Sequence, residues 1–147
     1  MSAKKKTSNT TREREKALEK EIENLEQNLD KIEKATVLEK TIKDKKQAIK
    51  EDLQNQLISQ GKFGKHFDDM VEDYLYLVEL KERLKHDIDV NGIRYKSTGG
   101  NGFTTYKPNE SCERMLKTNA EMLKILQDLE LKSPDKDNSG DDENDLL

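Results

Sequence analysis

The sequence predicts a mainly helical, all-α protein, and three observations carry this prediction. Residues 17–59 contain neither glycine nor proline and are rich in the helix formers Glu, Lys, Leu, Gln and Ala. Two later segments repeat apolar residues at helical spacing. Charged residues make up 39% of the 147-residue chain, against about 25% in average domains, which excludes a uniformly packed, compact enzyme domain.

The first element is a coiled-coil-like helical region over residues 17–60. Its apolar residues alternate at spacings of four and three, the pattern of a seam between helices: Leu18, Ile22, Leu25, Leu29 and Ile32. This apolar repeat is interrupted at residues 34–36 and resumes at Leu38. The interruption is compatible with one long helix or with a helical hairpin. In either case, a single apolar stripe of this length needs a partner.

The second region, residues 61–132, is predicted to be a helical core and oligomerisation domain, because it contains all seven aromatic residues. A helix over residues 66–89 has a broad apolar face, wider than a two-stranded seam needs. Its candidate contacts with neighbouring subunits are Phe67, Val71, Tyr74, Val78, Leu84 and Ile88.

A short β-hairpin or glycine-rich loop is predicted to link this helix to a third one. Asn91-Gly92 is a turn signal of the hairpin type, and a flexible loop follows at residues 97–102. The third helix begins at Asn109 or Ser111 as N-cap and has ended by Pro134. Its predicted apolar face consists of Cys112, Leu116, Ala120, Leu123, Leu126 and Leu129.

Charge is distributed very unevenly along the chain. Residues 1–16 carry six basic and two acidic groups and are predicted to be a basic flexible arm. Residues 133–147 carry six acidic groups and one basic group and are predicted to be an acidic disordered tail. Because basic groups neutralise phosphates, the candidate DNA-binding residues are Lys4, Lys5, Lys6, Arg12, Arg14 and Lys16 in the arm, with Lys40, Lys43, Lys45, Lys46 and Lys50 in a second cluster.

The residues that usually carry catalysis form no recognisable motif. His66 and His86 lie twenty residues apart on one predicted helix, and Cys112 has no activating partner in the sequence. The glycines at residues 99–102 match neither phosphate-binding signature. We therefore predict no catalytic residue, no metal, no cofactor and no small-molecule substrate. The absence of a signal peptide or an apolar span predicts a cytosolic protein without membrane contact.

The region from Leu57 to Pro134 resembles the small subunit of the tailed-phage terminase. The features that carry the resemblance are a glycine-bounded start at residues 61–64, a helix containing Tyr-Leu-Tyr-Leu-Val-Glu-Leu at residues 74–80, the Asn91-Gly92 turn, a glycine-rich loop leading to Tyr-Lys-Pro-Asn at residues 106–109, and a closing helix that ends in Leu-Gln-Asp-Leu-Glu-Leu-Lys-Ser-Pro at residues 126–134. The family often ends this helix with Leu-Gly-Leu-Thr-Pro, whereas this chain has Glu130 in place of the Gly and Ser133 in place of the Thr.

The resemblance implies a non-catalytic protein that assembles into a ring in the host-cell cytoplasm. Such a ring binds the packaging-start site on double-stranded viral DNA and recruits the large terminase subunit, an ATPase and nuclease. The alternative is a coiled-coil scaffold or regulatory protein that binds only protein partners. Residues 1–56 lie outside the resemblance, so it assigns no role to their basic groups.

Overall fold

A computed structural model describes the backbone of residues 3–131 and the side chains of residues 9–131. Within these residues, the elements are the helices α1 (Ala3–Ser59), α2 (Lys65–Asn91) and α3 (Glu110–Asp128), with strands β1 (Arg94–Thr98) and β2 (Thr104–Pro108) between α2 and α3. The prediction of a mainly helical chain is confirmed. The chain divides into two compact units, one formed by the first 45 residues and one that begins at Lys46.

Helix α1 is continuous, which decides between the two alternatives that the sequence left open. The phase break at residues 34–36 moves the apolar stripe around the helix without interrupting the backbone. Residues 3–16, predicted to be a flexible arm, are helical instead. Their composition lacks apolar residues for packing, but extending a helix that has already formed avoids the cost of nucleation.

The core of the second unit is made by α1, α2 and the end of α3. Its buried cluster consists of Leu53, Leu57, Val71, Leu75 and Leu129. Leu53 and Leu57 lie on the last turns of α1, before the predicted domain boundary at residue 61. The core therefore begins earlier in the chain than the sequence indicated, because the final turns of α1 carry a buried apolar face of their own.

The interpretation of Asn91-Gly92 as the hairpin turn is wrong. Helix α2 continues to Asn91, and Gly92 is its C-cap, with a φ of 78° and its N–H donating to the carbonyl of Ile88 at 2.7 Å. The hairpin turns instead at Gly99–Gly102, where the N–H of Gly102 donates to the carbonyl of Gly99 at 2.9 Å. Both sites contain a glycine, which tolerates a positive φ. The local sequence alone therefore does not distinguish the end of a helix from a hairpin turn.

The predicted apolar face of α3 is only partly correct. Leu129, just beyond the helix end, is fully buried, but Leu116 is 68% exposed and Leu123 is 57% exposed. The buried positions within α3 are Thr118 and Met122. The hydroxyl of Thr118 donates to the carbonyl of Arg114 at 2.8 Å, which satisfies a polar side chain at a position that the apolar pattern skips.

Helix α3 ends in a Schellman motif with an unusual residue at its left-handed position. The N–H of Leu131 points to the carbonyl of Leu126 at 3.4 Å, and the N–H of Glu130 donates to the carbonyl of Gln127 at 2.9 Å. Glu130 has a φ of 51°, a conformation that usually favours glycine. Glu130 is therefore a strained residue at the end of α3.

We expect Glu130→Gly to stabilise the protein by about 1 kcal/mol, because Gly adopts a positive φ without steric cost. The carboxylate of Glu130 is 3.5 Å from Lys62 Nζ, but the Glu130 side chain is 81% exposed, so the pair contributes little. Glu130→Ala is the matched control, since it removes the carboxylate and keeps the strain. Urea unfolding at fixed protein concentration should show a higher free energy of unfolding for Glu130→Gly and no increase for Glu130→Ala. A gain of the same size for Ala would assign the effect to the carboxylate.

Candidate nucleic-acid interface

Six of the candidate DNA-binding side chains within the first 45 residues are described by the structure, and all six are exposed. The side chains of Lys4, Lys5 and Lys6 lie outside the described residues. Arg12, Arg14 and Lys16 are exposed on α1, and so are Lys40, Lys43 and Lys45. These six side chains lie on a helix whose middle part, residues 17–35, carries six acidic and three basic groups. Their positive charge is therefore confined to two separated stretches of α1.

Lys46 and Lys50, the last two candidates of the second cluster, form ion pairs with α2. Lys46 Nζ lies 2.8 Å from the carboxylate of Glu79, and Lys50 Nζ contacts the carboxylate of Glu72. The hydrogen bond from Lys46, followed by that from Arg83, lowers the pKa of Glu79 below its ordinary value. These two lysines tie α1 to α2, and a phosphate would have to compete with a carboxylate for each of them.

The candidate subunit contacts on α2 are largely used within the chain itself. Val71 and Val78 are 1% and 2% exposed. Phe67 and Tyr74 are half-buried and pack against the core cluster, and Leu84 and Ile88 are half-buried as well. These six side chains are therefore mainly used in packing on α3 and on the last turns of α1, whereas Leu80 and Val90 of α2 are 36% and 65% exposed. The most regular set of exposed aliphatic residues is the seam of α1, where Leu18, Ile22, Leu25, Leu29 and Ile32 are 55–62% exposed.

The β-hairpin is a basic surface that the sequence reasoning missed. Residues 90–109 contain no Asp or Glu, although 31 of the 147 residues are acidic and about four would be expected in a stretch of this length. The same stretch contains Arg94, Lys96 and Lys107, none of which forms an ion pair with any described residue. The sequence feature that could have revealed this surface is the absence of acidic residues, combined with three aromatic residues among the cations.

The register of the hairpin places the polar groups on two faces. Lys96 pairs with Tyr106 and Thr98 pairs with Thr104, so these four residues share one face with Arg94, and all five are exposed. The opposite face carries Tyr95 and Lys107, which pair with each other, and Ser97, which is half-buried. Tyr95 lines a shallow depression with Leu84, Asn109 and Arg114, so this second face is turned towards the helices.

A network of polar side chains fixes the base of the hairpin to α2 and α3. Asn109, only 8% exposed, caps α3 by accepting a hydrogen bond from the N–H of Ser111 at 3.0 Å. Its side-chain amide donates to the carbonyl of Gly92 at 2.9 Å and to Asp87 at 3.0 Å. The hydroxyl of Ser111 also donates to Asp87 at 2.6 Å. The prediction of Asn109 as one possible N-cap is confirmed, and its second role is to hold both ends of the hairpin.

Asp87 makes the stability of this junction depend on pH. Hydrogen bonds from Ser111, then Asn109, then Asn91 lower the pKa of Asp87. The stabilisation is therefore present above the pKa of the unfolded state, about 3.9, and is lost as the pH falls through the lower folded pKa. We expect Asp87→Ala to lower the melting temperature at pH 7 and to have a smaller effect at pH 2–3. Thermal melts across pH check this, and Asp89→Ala, an exposed carboxylate two residues on, is the control. If the melting temperature of Asp87→Ala stayed below that of wild type by the same amount down to the lowest pH, the charge of Asp87 would not contribute to stability.

The histidines and the cysteine, which could take part in catalysis or metal binding, do not form a common site among the described residues. The ring of His66 lies 4.1 Å from that of Phe67 between centroids, and both His66 and His86 are exposed. Cys112 is a half-buried free thiol on α3. Among the described residues, no group of three or more His, Cys, Asp or Glu side chains is placed to hold a metal ion.

Comparisons with models of protein families, with curated proteins and with solved structures found no match. Within residues 3–131, no helix combines the length and the apolar character that crossing a membrane requires.

Proposed function

We propose that this chain is a non-catalytic, self-associating DNA-recognition protein of the small-terminase kind. In this role it binds the packaging-start site on double-stranded viral DNA and recruits or regulates the large ATPase–nuclease subunit. The observation that carries the self-association is the exposed seam of α1. The order of the elements that carry the family resemblance, a helix, a glycine-rich connection and a closing helix, supports the choice of this class.

The seam has enough apolar surface to drive association. Burying a Leu or Ile side chain completely contributes about 1.5–3 kcal/mol. With more than half of each side chain still exposed, each seam residue would add about 1–1.5 kcal/mol. Five such residues on each of two chains give roughly 10–15 kcal/mol, which is comparable to or larger than the cost of association, about 4–15 kcal/mol. Two chains are therefore the smallest assembly that buries the seam. In the proposed ring, each chain also contacts a further neighbour.

Self-association also explains how weakly basic surfaces bind DNA. Each chain presents only a few exposed cations, and a single set gives weak, salt-sensitive binding. When several chains are joined, the second and later contacts become intramolecular, which raises the overall affinity by factors of about 10² to 10⁴. The acidic segment of residues 133–147 lies outside the described residues, and its proposed role is to contact the large subunit or to regulate the assembly.

The rival is a coiled-coil scaffold that binds only protein. The observation that favours it is the excess of acidic groups at residues 17–35, directly beside the seam, because this part of α1 would repel phosphates. A scaffold therefore uses the same seam, but it needs no basic surface.

Native mass spectrometry and DNA titration together test the proposal. We expect a closed assembly of more than two subunits that binds duplex DNA from its own genome with an affinity that falls steeply with salt. Sheared duplex of unrelated sequence is the control for recognition of the start site. A dimer that leaves duplex DNA unbound at about 50 mM salt, where phosphate contacts are strong, would overturn the proposal in favour of the scaffold.

A further inference from the structure

We propose that the β-hairpin of residues 94–108 is a DNA-contacting ribbon, whose exposed face of Arg94, Lys96, Thr98, Thr104 and Tyr106 binds the phosphates of a duplex. This inference rests on the proposed function and names a surface for it that is separate from the basic groups of α1. It applies to double-stranded DNA, because a two-stranded ribbon has the width that the major groove of B-DNA admits.

The exposed face of the hairpin carries the side-chain types that bind phosphate. Arg94 and Lys96 supply two positive charges. Thr98, Thr104 and Tyr106 each have a hydroxyl that can donate a hydrogen bond. Hydroxyl and cationic side chains are the common donors to phosphate oxygens. No carboxylate within the hairpin repels a polyanion, so every polar side chain on the face favours the same ligand.

Arg94 and Lys96 differ from those cations of this unit that lie beside carboxylates. Lys46 and Lys50 pair with Glu79 and Glu72, and Arg114 and Lys117 pair with Glu110 and Glu113 one turn earlier on α3. Arg94 and Lys96 have no such partner among the residues that the structure describes. A carboxylate beside a paired cation repels an approaching phosphate, whereas Arg94 and Lys96 have no such carboxylate and release counterions when they bind a phosphate.

The hairpin has a tight tip and a fixed base. The N–H of Gly99 donates to the carbonyl of Phe103 at 2.9 Å, and Gly102 has a φ of 80°. This closes a tight, glycine-rich tip without bulky side chains at residues 99–102. Phe103 beside the tip is 72% exposed and Tyr106 is 69% exposed, so aromatic rings flank the cations. Because the junction at Asp87 and Asn109 fixes the base, the ribbon is presented in a defined orientation.

Binding of the full-length protein to a duplex of about 30 base pairs tests the proposal, with the double variant Arg94→Gln/Lys96→Gln. We expect its affinity at about 0.1 M salt to fall about tenfold or more. The slope of log K against log[salt] should become shallower by about 0.9 for each phosphate that the variant no longer neutralises. The matched control, Arg114→Gln/Lys117→Gln, removes one Arg and one Lys from exposed ion pairs on α3. It should keep the slope and most of the affinity.

The outcomes separate the two proposals. If wild-type protein binds the duplex and both double variants match it, the hairpin is not the contact, while the proposed function survives with its contact on α1. If wild-type protein does not bind duplex DNA, both proposals fail. A hairpin variant that changes subunit number at unchanged DNA affinity would reassign the hairpin as a subunit contact, and tighter binding of the single strand than of the duplex would also overturn the inference.

Circular dichroism and native mass spectra of each variant guard against misfolding. Should the double variant unfold, Tyr106→Phe, which removes only the hydroxyl, replaces it as the test. This single change should still make the duplex affinity lower, and an unchanged value would count against the proposal.

Discussion

Leu129→Ala is expected to destabilise the protein by about 3–5 kcal/mol, the upper part of the range for buried leucines. The side chain of Leu129 is fully buried against Leu53, Leu57, Val71 and Leu75, which come from α1 and α2. Its truncation leaves a cavity at the point where three helices meet. Since natural domains are stable by only about 5–15 kcal/mol, this loss is a large share of the total.

Leu123→Ala is the matched control for that prediction. It makes the same chemical change on α3, but Leu123 is 57% exposed, and surface substitutions usually change stability by less than about 0.5 kcal/mol. Urea unfolding followed by circular dichroism, at one protein concentration, measures both variants. Losses of similar size for the two leucines would show that the end of α3 does not form part of the core.

Leu25→Gln/Leu29→Gln is expected to weaken self-association by about three to four orders of magnitude. Both residues lie on the seam of α1, where they are 58% and 60% exposed in the chain. Across a two-chain contact, the variant removes four leucines at about 1–1.5 kcal/mol each, and every 1.4 kcal/mol corresponds to about tenfold in affinity. Gln retains good helix propensity, so α1 should remain helical.

Sedimentation velocity over a range of concentrations measures this change. The control variant is Val37→Gln/Leu123→Gln, which also removes two exposed aliphatic residues, 66% and 57% exposed, but neither lies on the seam. It should leave the assembly intact. If the seam variant sediments like wild type, the subunits associate through another surface, and the avidity assigned to the basic surfaces would have to come from there.

The path of the chain between α2 and α3 shows where local sequence signals reach their limit. Asn91-Gly92 and the glycines at 99–102 both permit a positive φ, and either can turn a hairpin. The structure uses the first to end α2, because the helical hydrogen bonds of α2 continue to Gly92, and the second to join β1 and β2. Only the pairing of two strands with each other distinguishes the two sites.

The basic candidates show the same limit for the site. Lys46 and Lys50 look no different in sequence from Lys40 and Lys43, and only the packing of α1 against α2 brings Glu79 and Glu72 to them. The hairpin shows the opposite case, since Arg94 and Lys96 lie on β1 while Tyr106 lies on β2, further along the chain. Strand pairing then places Arg94 and Lys96 on one face with Tyr106.

By itself, the sequence determined the helical class of this protein, the seam at residues 18–32 and the uneven distribution of charge, because composition and a short repeat are local properties of the chain. Tertiary structure decided which apolar residues are buried. Leu129 is buried while Leu116 and Leu123 are exposed, since burial depends on which side of α3 meets α1 and α2. It also decided which cations are paired, because an ion pair between helices requires both helices to be in place.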